Sequence, residues 1–269
     1  MLDIKSTAKL NNGQQMPILG LGVWQMAKGQ ETANAVLRAL QVGYRHIDTA
    51  KIYGNEESVG EAIRKSGIAR DEIFVTTKLW NDDHGDPEKA LDQSLQRLGM
   101  DYVDLYLIHW PGSDSDNLET WKVMEKFPAA GKCRAVGVSN FSITHLKELL
   151  AHSELMPAVN QVEFHPYLYQ KDLLQYCSSE NIQLEAYSPL TKGQRLEDPK
   201  LLAIAQKYSK SAAQILIRWS LQLGLVVIPK SADPVRIKEN SEVFDFEISP
   251  EDMERLNAFD ENLRLVSDD

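Results

Sequence analysis

The sequence predicts an α/β chain folded as a (β/α)8 TIM barrel, and two features of its pattern support that prediction. Short apolar segments rich in β-branched residues recur with their ends about 20 to 40 residues apart, roughly the length of one strand–helix unit. Amphipathic segments with helix start and stop residues lie between them. Eight such alternations, without a linker or a shift in composition, predict a single barrel domain over residues 1–269.

The eight predicted strands are apolar segments that end in a polar or aromatic residue. Their content of Val, Ile, Thr and Tyr favours strands at this length. In chain order they are PILGLGVW (17–24), HIDTA (46–50), IFVTTKLW (73–80), YVDLYLIHW (102–110), CRAVGVSN (133–140), AVNQVEF (158–164), IQLEAYSP (182–189) and LGLVVIPK (223–230).

The amphipathic segments between these strands predict the helices. The segment at 86–99 has three helix markers, since Asp86 suits an N-cap, Pro87 the first turn and Gly99 a left-handed stop. The other helices are predicted at 31–43, 55–67, 142–152, 171–180, 201–210, 211–224 and 233–244.

Two further elements are predicted to flank the barrel. An N-terminal β-hairpin is predicted at 8–18, with Asn12 and Gly13 as a tight-turn pair. An extra C-terminal helix is predicted at 249–259, where Ser249 suits an N-cap and Pro250 the first helical position. We expect this helix to cap or brace the barrel.

Composition and charge limit the classes of partner. A net charge of −10 and a pI near 5.2 disfavour a nucleic-acid partner, which requires a basic face. The N-terminal segment lacks the apolar core of a signal peptide, and no segment has the apolar length of a membrane span. Two cysteines without metal-type spacing favour a reducing compartment. We therefore expect a cytoplasmic protein with no nucleic-acid, membrane or metal partner, and a monomer.

Chemically useful side chains cluster at the predicted strand ends. In a (β/α)8 barrel the active site is built from the carboxyl ends of the strands and the loops that follow them. All eight ends carry polar or aromatic residues: Trp24; Asp48 with Tyr53; Lys78 with Trp80; His109 with Trp110; Ser139 with Asn140; Gln161; Tyr187 with Ser188; and Lys230 with Ser231.

Three successive strand ends supply Asp48, Lys78 and His109, and the loop after the first supplies Tyr53. Singly, each of these residues is also compatible with a structural role, such as an ion pair, a core histidine or a loop anchor. Together they predict a general acid directed at a carbonyl oxygen, with Tyr53 as the proton donor. We expect the Lys78 ammonium to lower the pKa of Tyr53, and Asp48 to keep Lys78 charged. His109 can hydrogen-bond the oxygen that receives the proton.

Seven segments resemble the aldo-keto reductases in content and in order, over essentially the whole chain. The resemblance is greatest to the short microbial members that reduce diketo acids, small dicarbonyls and aldehydes. The segments are GYRHIDTAKIYGNEESVGEAIR, FVTTKLW, DYVDLYLIHWP, VGVSNF, NQVEFHP, AYSPL and IPKSADPVRIKEN.

The resemblance implies NADPH-dependent reduction of carbonyl compounds and a role for each site residue. It implies that Asp48, Tyr53, Lys78 and His109 form a catalytic tetrad. A second group would hold the cofactor: Ser139, Asn140 and Gln161 on the nicotinamide carboxamide; Tyr187 stacked on its ring; Ser188 and Leu190 along the pyrophosphate; and Lys230, Ser231, Arg236, Glu239 and Asn240 on the adenosine half.

Lys230 and Arg236 favour NADPH over NADH, which stays possible. An arginine suits bidentate phosphate binding and a lysine a point contact, as a 2′-phosphate requires. An acidic protein that binds a polyanionic cofactor needs a local basic site of this kind.

Three tryptophans that follow strand ends, Trp24, Trp80 and Trp110, are predicted to form aromatic walls for a small-molecule carbonyl substrate. The C-terminal tail, DENLRLVSDD (260–269), ends where longer family members continue across the pocket mouth. We therefore expect an open pocket and a broad range of substrates.

Two other functions are compatible with the fold. A regulatory or structural subunit that binds the cofactor with little turnover is disfavoured by the complete tetrad. A metal-dependent barrel hydrolase is disfavoured because the sequence has no His-x-His cluster.

Overall fold

The computed structural model of the protein describes residues 2–267. Met1, Asp268 and Asp269, which belong to the predicted domain 1–269, therefore lie outside the described residues.

Eight parallel strands follow one another around a closed sheet. Each strand pairs with the next along the chain, and a parallel bridge between Leu19 and Val227 joins the last strand to the first. The Gly20 amide donates to the Val227 carbonyl oxygen at 2.9 Å across this closure. The predicted (β/α)8 barrel is thus confirmed. Its strands are β3 (Leu21–Gly22), β4 (His46–Asp48), β5 (Phe74–Leu79), β6 (Val103–Ile108), β7 (Cys133–Ser139), β8 (Val159–Glu163), β9 (Gln183–Tyr187) and β10 (Val226–Val227).

The N-terminal hairpin covers the amino-terminal end of the barrel. Its strands are β1 (Thr7–Lys9) and β2 (Gln15–Pro17), and Leu10 and Met16 pack with Phe74 and other apolar residues near the strand starts. The predicted two-residue turn at Asn12 and Gly13 is wrong by one residue. The Leu10 amide donates to the Gln14 carbonyl oxygen at 2.9 Å, which leaves a three-residue loop with φ of 89° at Gly13. With this end occupied, the opposite end is free for a site.

Ten helices surround the barrel in the described part of the chain. The predicted markers are correct for α3, where Asp86 accepts a hydrogen bond from the Lys89 amide, and for α10, where Ser249 is the N-cap. None of the described helices has the length and apolar composition of a membrane span. They are α1 (Gln30–Gln41), α2 (Glu56–Ser66), α3 (Pro87–Leu98), α4 (Asp114–Met124), α5 (Ile143–His152), α6 (Lys171–Ser179), α7 (Pro199–Lys207), α8 (Ala212–Gln222), α9 (Pro234–Ser241) and α10 (Pro250–Asn257).

The extra helix α10 braces the outside of the barrel, as expected. Asp252 in α10 accepts hydrogen bonds from Lys207 at 2.8 Å and from Tyr208 at 2.9 Å. Asn257 at its end accepts from the Trp219 indole at 2.8 Å. These bonds join α10 to α7 and α8.

Helix α4 is absent from the predicted set, and the composition of its buried face explains why. Its buried residues have helical spacing, but two of them, Asn117 and Thr120, are polar beside Trp121 and Met124. Asn117 exchanges hydrogen bonds with the backbone of Gly112, at 2.9 and 3.3 Å. A search for apolar periodicity does not detect polar side chains that are buried because they form hydrogen bonds with a loop.

Gly60 of α2 lies directly against the backbone of Leu98, the last residue of α3. A Cβ atom added there would lie 1.9 Å from the Leu98 carbonyl oxygen, inside any allowed contact distance. We predict that Gly60→Ala lowers the free energy of unfolding by about 1–3 kcal/mol, because overpacking outweighs the higher helix propensity of alanine. Urea denaturation measures this change.

Gly85→Ala is the matched control, because a Cβ atom at Gly85 would meet no atom within 4 Å. It should leave the free energy of unfolding within about 0.5 kcal/mol of the wild-type value. Equal stability of the two variants would contradict the close approach of α2 and α3.

Candidate active site

A cavity of about 1280 Å³ opens at the carboxyl ends of the barrel strands. Of the predicted site residues, Lys78 does not line it, because Lys78 is fully buried behind the wall. The other predicted residues all line it: Trp24, Asp48, Tyr53, Trp80, His109, Trp110, Ser139, Asn140, Gln161, Tyr187, Ser188, Leu190, Lys230, Ser231, Arg236, Glu239 and Asn240.

The Lys78 ammonium is the centre of the predicted tetrad. It donates to Asp48 Oδ1 at 2.7 Å, to the Thr49 carbonyl oxygen at 3.0 Å and to the Tyr53 hydroxyl at 3.4 Å. Asp48 is the last residue of β4 and Lys78 lies in β5, the adjacent strand. A single 3₁₀ turn at Lys51–Tyr53 follows β4 and places the phenol above the ammonium.

Tyr53 is held as a neutral phenol. Burial raises the pKa of Tyr53 to about 12, although the neighbouring Lys78 ammonium lowers it in part. Lys78 lowers this pKa, as expected, but the loss of hydration outweighs the charge of the lysine and the net shift is upward. The phenol therefore keeps its proton at neutral pH. Its oxygen has two polar neighbours, the Lys78 ammonium at 3.4 Å and His109 Nε2 at 3.5 Å.

His109 faces the cavity as an uncharged imidazole. Burial, together with the Lys78 ammonium, holds the pKa of His109 well below its usual range. Its ring packs edge-on against Tyr53 and Trp80, with centroids 5.5 and 5.2 Å away. A neutral imidazole has one N–H group, which can donate a hydrogen bond to a carbonyl oxygen but does not readily give up its proton.

Lys78 is charged, as predicted. Burial alone would lower the pKa of Lys78, but Asp48 and the other acidic groups around it raise that pKa above its usual value. The cation therefore persists in the barrel interior because a carboxylate contacts it directly.

A hydrogen-bonded chain connects the four residues predicted to hold a nicotinamide. The Ser139 hydroxyl donates to the backbone carbonyl oxygen of Gln161 at 2.8 Å and accepts from Asn140 Nδ2 at 3.1 Å. Asn140 Nδ2 also donates to the His109 carbonyl oxygen at 3.0 Å, and the Tyr187 hydroxyl donates to Asn140 Oδ1 at 2.9 Å. These side chains are consequently fixed by one another at the cavity wall.

Four non-glycine residues of the cavity wall have left-handed backbone conformations. They are Gln25, Asn140, Ser188 and Lys192, with φ of 59°, 63°, 49° and 49°. Such conformations cost free energy and are concentrated at functional sites. Their presence in the loops after β3, β7 and β9 supports a site at this rim.

The predicted adenosine end of the cavity lies at the start of α9. Arg236 is largely exposed, and the nearest carboxylate oxygen that pairs with it belongs to Asp233, 3.9 Å away. Lys230 is also exposed, whereas Ser231 and Asn240 are buried in the wall. A basic arginine and lysine therefore face open space beside two neutral hydrogen-bonding groups.

The C-terminal tail reaches the cavity and forms part of its wall. The buried Glu163 carboxylate accepts hydrogen bonds from the amides of Leu265 and Val266, each at 2.9 Å. Lys192 donates to the Leu265 carbonyl oxygen at 2.8 Å, and Val266 and Ser267 line the cavity. Residues 268–269 of the predicted tail lie outside the described part of the chain.

The tryptophans form one wall of the cavity, each half-buried. Lys192 Nζ lies 4.6 Å from the ring centroid of Trp24, so the loop after β9 also contacts this wall. Ile52, next to Tyr53 and half-exposed, is an apolar residue that also lines the cavity and was absent from the predicted site residues.

Glu185 is a buried site residue that sequence reasoning missed. Its carboxylate oxygen Oε2 accepts a hydrogen bond from Gln161 Nε2 at 2.8 Å, and the same nitrogen donates to Asp48 Oδ2 at 2.8 Å. Burial, with the Asp48 charge, raises the pKa of Glu185 to about 8. A sequence feature could have indicated it, because this glutamate interrupts the apolar segment IQLEAYSP two residues before Tyr187, on the same strand face.

Known proteins are similar to this chain over most of its length. The aldo/keto reductase family model matches residues 18–261. A glyoxal reductase from Bacillus subtilis (strain 168) is 52% identical over 264 residues, which cover 97% of this chain and 95% of the relative. A methylglyoxal reductase, DkgA, from Yersinia pestis is 49% identical over 263 residues, covering 97% and 95% of the two chains.

A solved structure agrees with these sequence comparisons. The crystal structure of a Bombyx mori aldo-keto reductase in complex with NADP is 39% identical, has a TM-score of 0.92 and covers 100% of this chain and 96% of that chain. The barrel, the arrangement of its strand ends and the family match over most of the chain lead to one conclusion. This chain belongs to the aldo/keto reductase family.

Proposed function

We propose that the protein reduces aldehydes, ketones or small dicarbonyls to alcohols with NADPH, and that Tyr53 donates the proton. One observation carries the proposal: the protonated Tyr53 hydroxyl lies at the cavity wall, 3.4 Å from the Lys78 ammonium and 3.5 Å from His109 Nε2. A phenol between a cation and a neutral imidazole is suited to give a proton to a carbonyl oxygen.

The residues of the cavity wall fit a nicotinamide cofactor. The cavity is larger than a typical small-molecule pocket, which has a volume of about 300–1,000 Å³. Ser139, Asn140 and Gln161 offer the amide and hydroxyl groups that a carboxamide requires, and Tyr187 offers a ring for stacking. A bound nicotinamide supplies the hydride that carbonyl reduction consumes.

The tetrad would position the substrate carbonyl and donate the proton to it. His109 would donate a hydrogen bond to the carbonyl oxygen and hold it near the Tyr53 hydroxyl. As negative charge develops on that oxygen, the phenol O–H bond breaks and the proton moves to it. Lys78, charged and 2.7 Å from Asp48 Oδ1, would stabilise the phenolate that remains.

Lys230 and Arg236 support NADPH as the preferred cofactor, with NADH less favoured. Both side chains line the far end of the cavity, and Ser231 and Asn240 add hydrogen-bonding groups there. A 2′-phosphate would find a guanidinium and an ammonium at this place. The Bombyx mori aldo-keto reductase is a complex with NADP, which agrees with this proposal.

Small dicarbonyls and aldehydes are the substrates that we propose. Trp24, Trp80, Trp110 and Ile52 give one side of the cavity an aromatic and apolar wall, which suits compact carbonyl compounds without a required charge. Two of the relatives are named glyoxal reductase and methylglyoxal reductase.

The proton donor can be tested by Tyr53→Phe. We expect kcat for methylglyoxal reduction with NADPH to fall by at least about 10²-fold, since general acid catalysis is lost, while NADPH binding is kept. Loss of NADPH absorbance measures kcat, and quenching of tryptophan fluorescence measures the Kd of the cofactor.

Tyr106→Phe is the matched control. Tyr106 is buried on β6, does not line the cavity, and its hydroxyl has no hydrogen-bond partner among the described residues. It should keep wild-type kcat. Full activity of Tyr53→Phe would refute Tyr53 as the donor. Wild-type protein that binds NADPH without turnover would favour a regulatory subunit.

The cofactor preference can be tested with Lys230→Met and Arg236→Leu. We expect each to raise the Kd of NADPH about tenfold and to leave the Kd of NADH within about twofold, because only the 2′-phosphate contact is lost. The difference should shrink at high salt, since both side chains are exposed.

Lys238→Met controls for charge removal on the same helix. Lys238 lies on α9, pairs with Glu242 at 3.5 Å and does not line the cavity. It should change neither Kd. Equal weakening of NADPH and NADH by Arg236→Leu would contradict a phosphate site.

A further inference from the structure

Two buried carboxylates share one amide at the wall of the cavity, which Asp48 and Gln161 line and Glu185 does not. Gln161 Nε2 lies 2.8 Å from Asp48 Oδ2 and 2.8 Å from Glu185 Oε2. An amide nitrogen carries two hydrogens, so each carboxylate receives one of them. All three residues are at most 2% exposed.

The charges around this pair do not balance if both carboxylates are ionised. The titratable groups that face Glu185 are His46 and Asp48 from β4, Lys78 from β5 and Tyr53 from the turn after β4. Burial lowers the pKa of His46 to about 3 and raises that of Tyr53 to about 12, so both are neutral. Lys78 is then the single cation facing two acids, and it contacts Asp48, not Glu185, at 2.7 Å.

We propose that Glu185 is a positioning residue that retains a proton in the folded protein and, through its hydrogen bond to Gln161, fixes which end of that amide faces the cavity. With Lys78 bound to Asp48, the second carboxyl is neutral, and the net charge of the cluster is zero. Glu185 Oε1 has no hydrogen-bond partner among the described residues and lies 3.6 Å from His46 Nε2, which is consistent with a proton-bearing oxygen.

The orientation of Gln161 follows from the same contacts. Because its nitrogen is held by two acceptors inside the barrel, its carbonyl oxygen Oε1 is the end left for the cavity that Gln161 lines. A cavity that presents an amide oxygen selects an N–H donor. This inference rests on the proposed function, in which the donor is the carboxamide NH₂ of the nicotinamide.

The retained proton has a consequence for stability that needs no cofactor. The pKa of Glu185 is raised from 4.5 to about 8 by burial and the Asp48 charge. Between these two values the folded state binds more protons than the unfolded state, so the free energy of unfolding falls as pH rises through this interval. The full loss of unfolding free energy caused by ionising the buried Glu185 is reached only at a pH above its folded-state pKa.

The test compares Glu185→Gln with Glu185→Met and Glu185→Leu. Glutamine keeps an oxygen that accepts from Gln161 but cannot titrate, whereas Met and Leu keep volume and remove the acceptor. We expect Glu185→Gln to bind NADPH with a Kd within about twofold of wild type, and the apolar variants to bind about tenfold more weakly. Tryptophan fluorescence measures these values at pH 7.

Urea denaturation of the cofactor-free proteins at pH 5 to 8 tests the proton. Relative to Glu185→Gln, the unfolding equilibrium constant of wild type should rise by up to about tenfold per pH unit across this range. Glu56→Gln is the control for removing a buried carboxylate, because Glu56 binds Thr77 and Arg97 outside the cavity. Its Kd for NADPH should equal that of wild type.

Two results would overturn the inference. If wild type and Glu185→Gln have the same pH dependence of unfolding, Glu185 does not retain the proton. If Glu185→Gln binds NADPH about tenfold more weakly, or the folded apolar variants bind it normally, Glu185 does not orient Gln161. Wild-type protein that binds no nicotinamide cofactor would instead refute the proposed function, and the unfolding comparison would still decide the proton.

Discussion

The ion pair between Lys78 and Asp48 is the interaction on which the site depends. Both residues are buried, at 0% and 2% exposure, so the pair must recover the large desolvation cost of two charges. It does so with direct contact at 2.7 Å and with further hydrogen bonds from Lys78 to Thr49 and from Gln161 to Asp48. An unpaired lysine at this depth would lose its proton or destabilise the barrel.

The two neutral groups beside the pair have different causes. The cation helps to keep His109 uncharged. Tyr53, whose hydroxyl lies 3.4 Å from the cation, is neutral because burial outweighs the attraction of the phenolate to Lys78. Burial is the largest cause of the upward shift in the pKa of Tyr53. The cavity wall therefore presents an acid that is protonated and an imidazole that can only share a hydrogen bond. This is a suitable environment for protonating an oxygen that becomes negative.

The two ends of the barrel differ because the hairpin occupies one of them. At the amino-terminal end, Leu10 and Met16 close the interior with apolar contacts. At the carboxyl end, polar side chains occupy the interior and are held by hydrogen bonds: the Gln161 side chain binds Glu185, Ser139 binds the backbone carbonyl oxygen of Gln161, and Asn140 binds Ser139. Such a network holds the wall in one arrangement before any ligand arrives, which reduces the ordering that binding requires.

Local patterns in the sequence predict the barrel and the group of residues that meet at its carboxyl rim. Strand and helix periodicity is local, and parallel strand ends must meet at one rim, so Asp48, Lys78 and His109 could be placed together from their positions alone. Helix α4 was not predicted because its buried face contains polar residues, and a search for apolar periodicity detects only buried apolar residues.

The balance of energies at the site depends on burial and contacts that exist only in the folded chain. The direction of the Tyr53 pKa shift depends on how much water is removed, and the role of Glu185 depends on a hydrogen bond that spans neighbouring strands. The path of the tail depends on Glu163, which is about 100 residues away in the chain. Burial and long-range contacts are properties of the folded chain, and no local pattern encodes their magnitude.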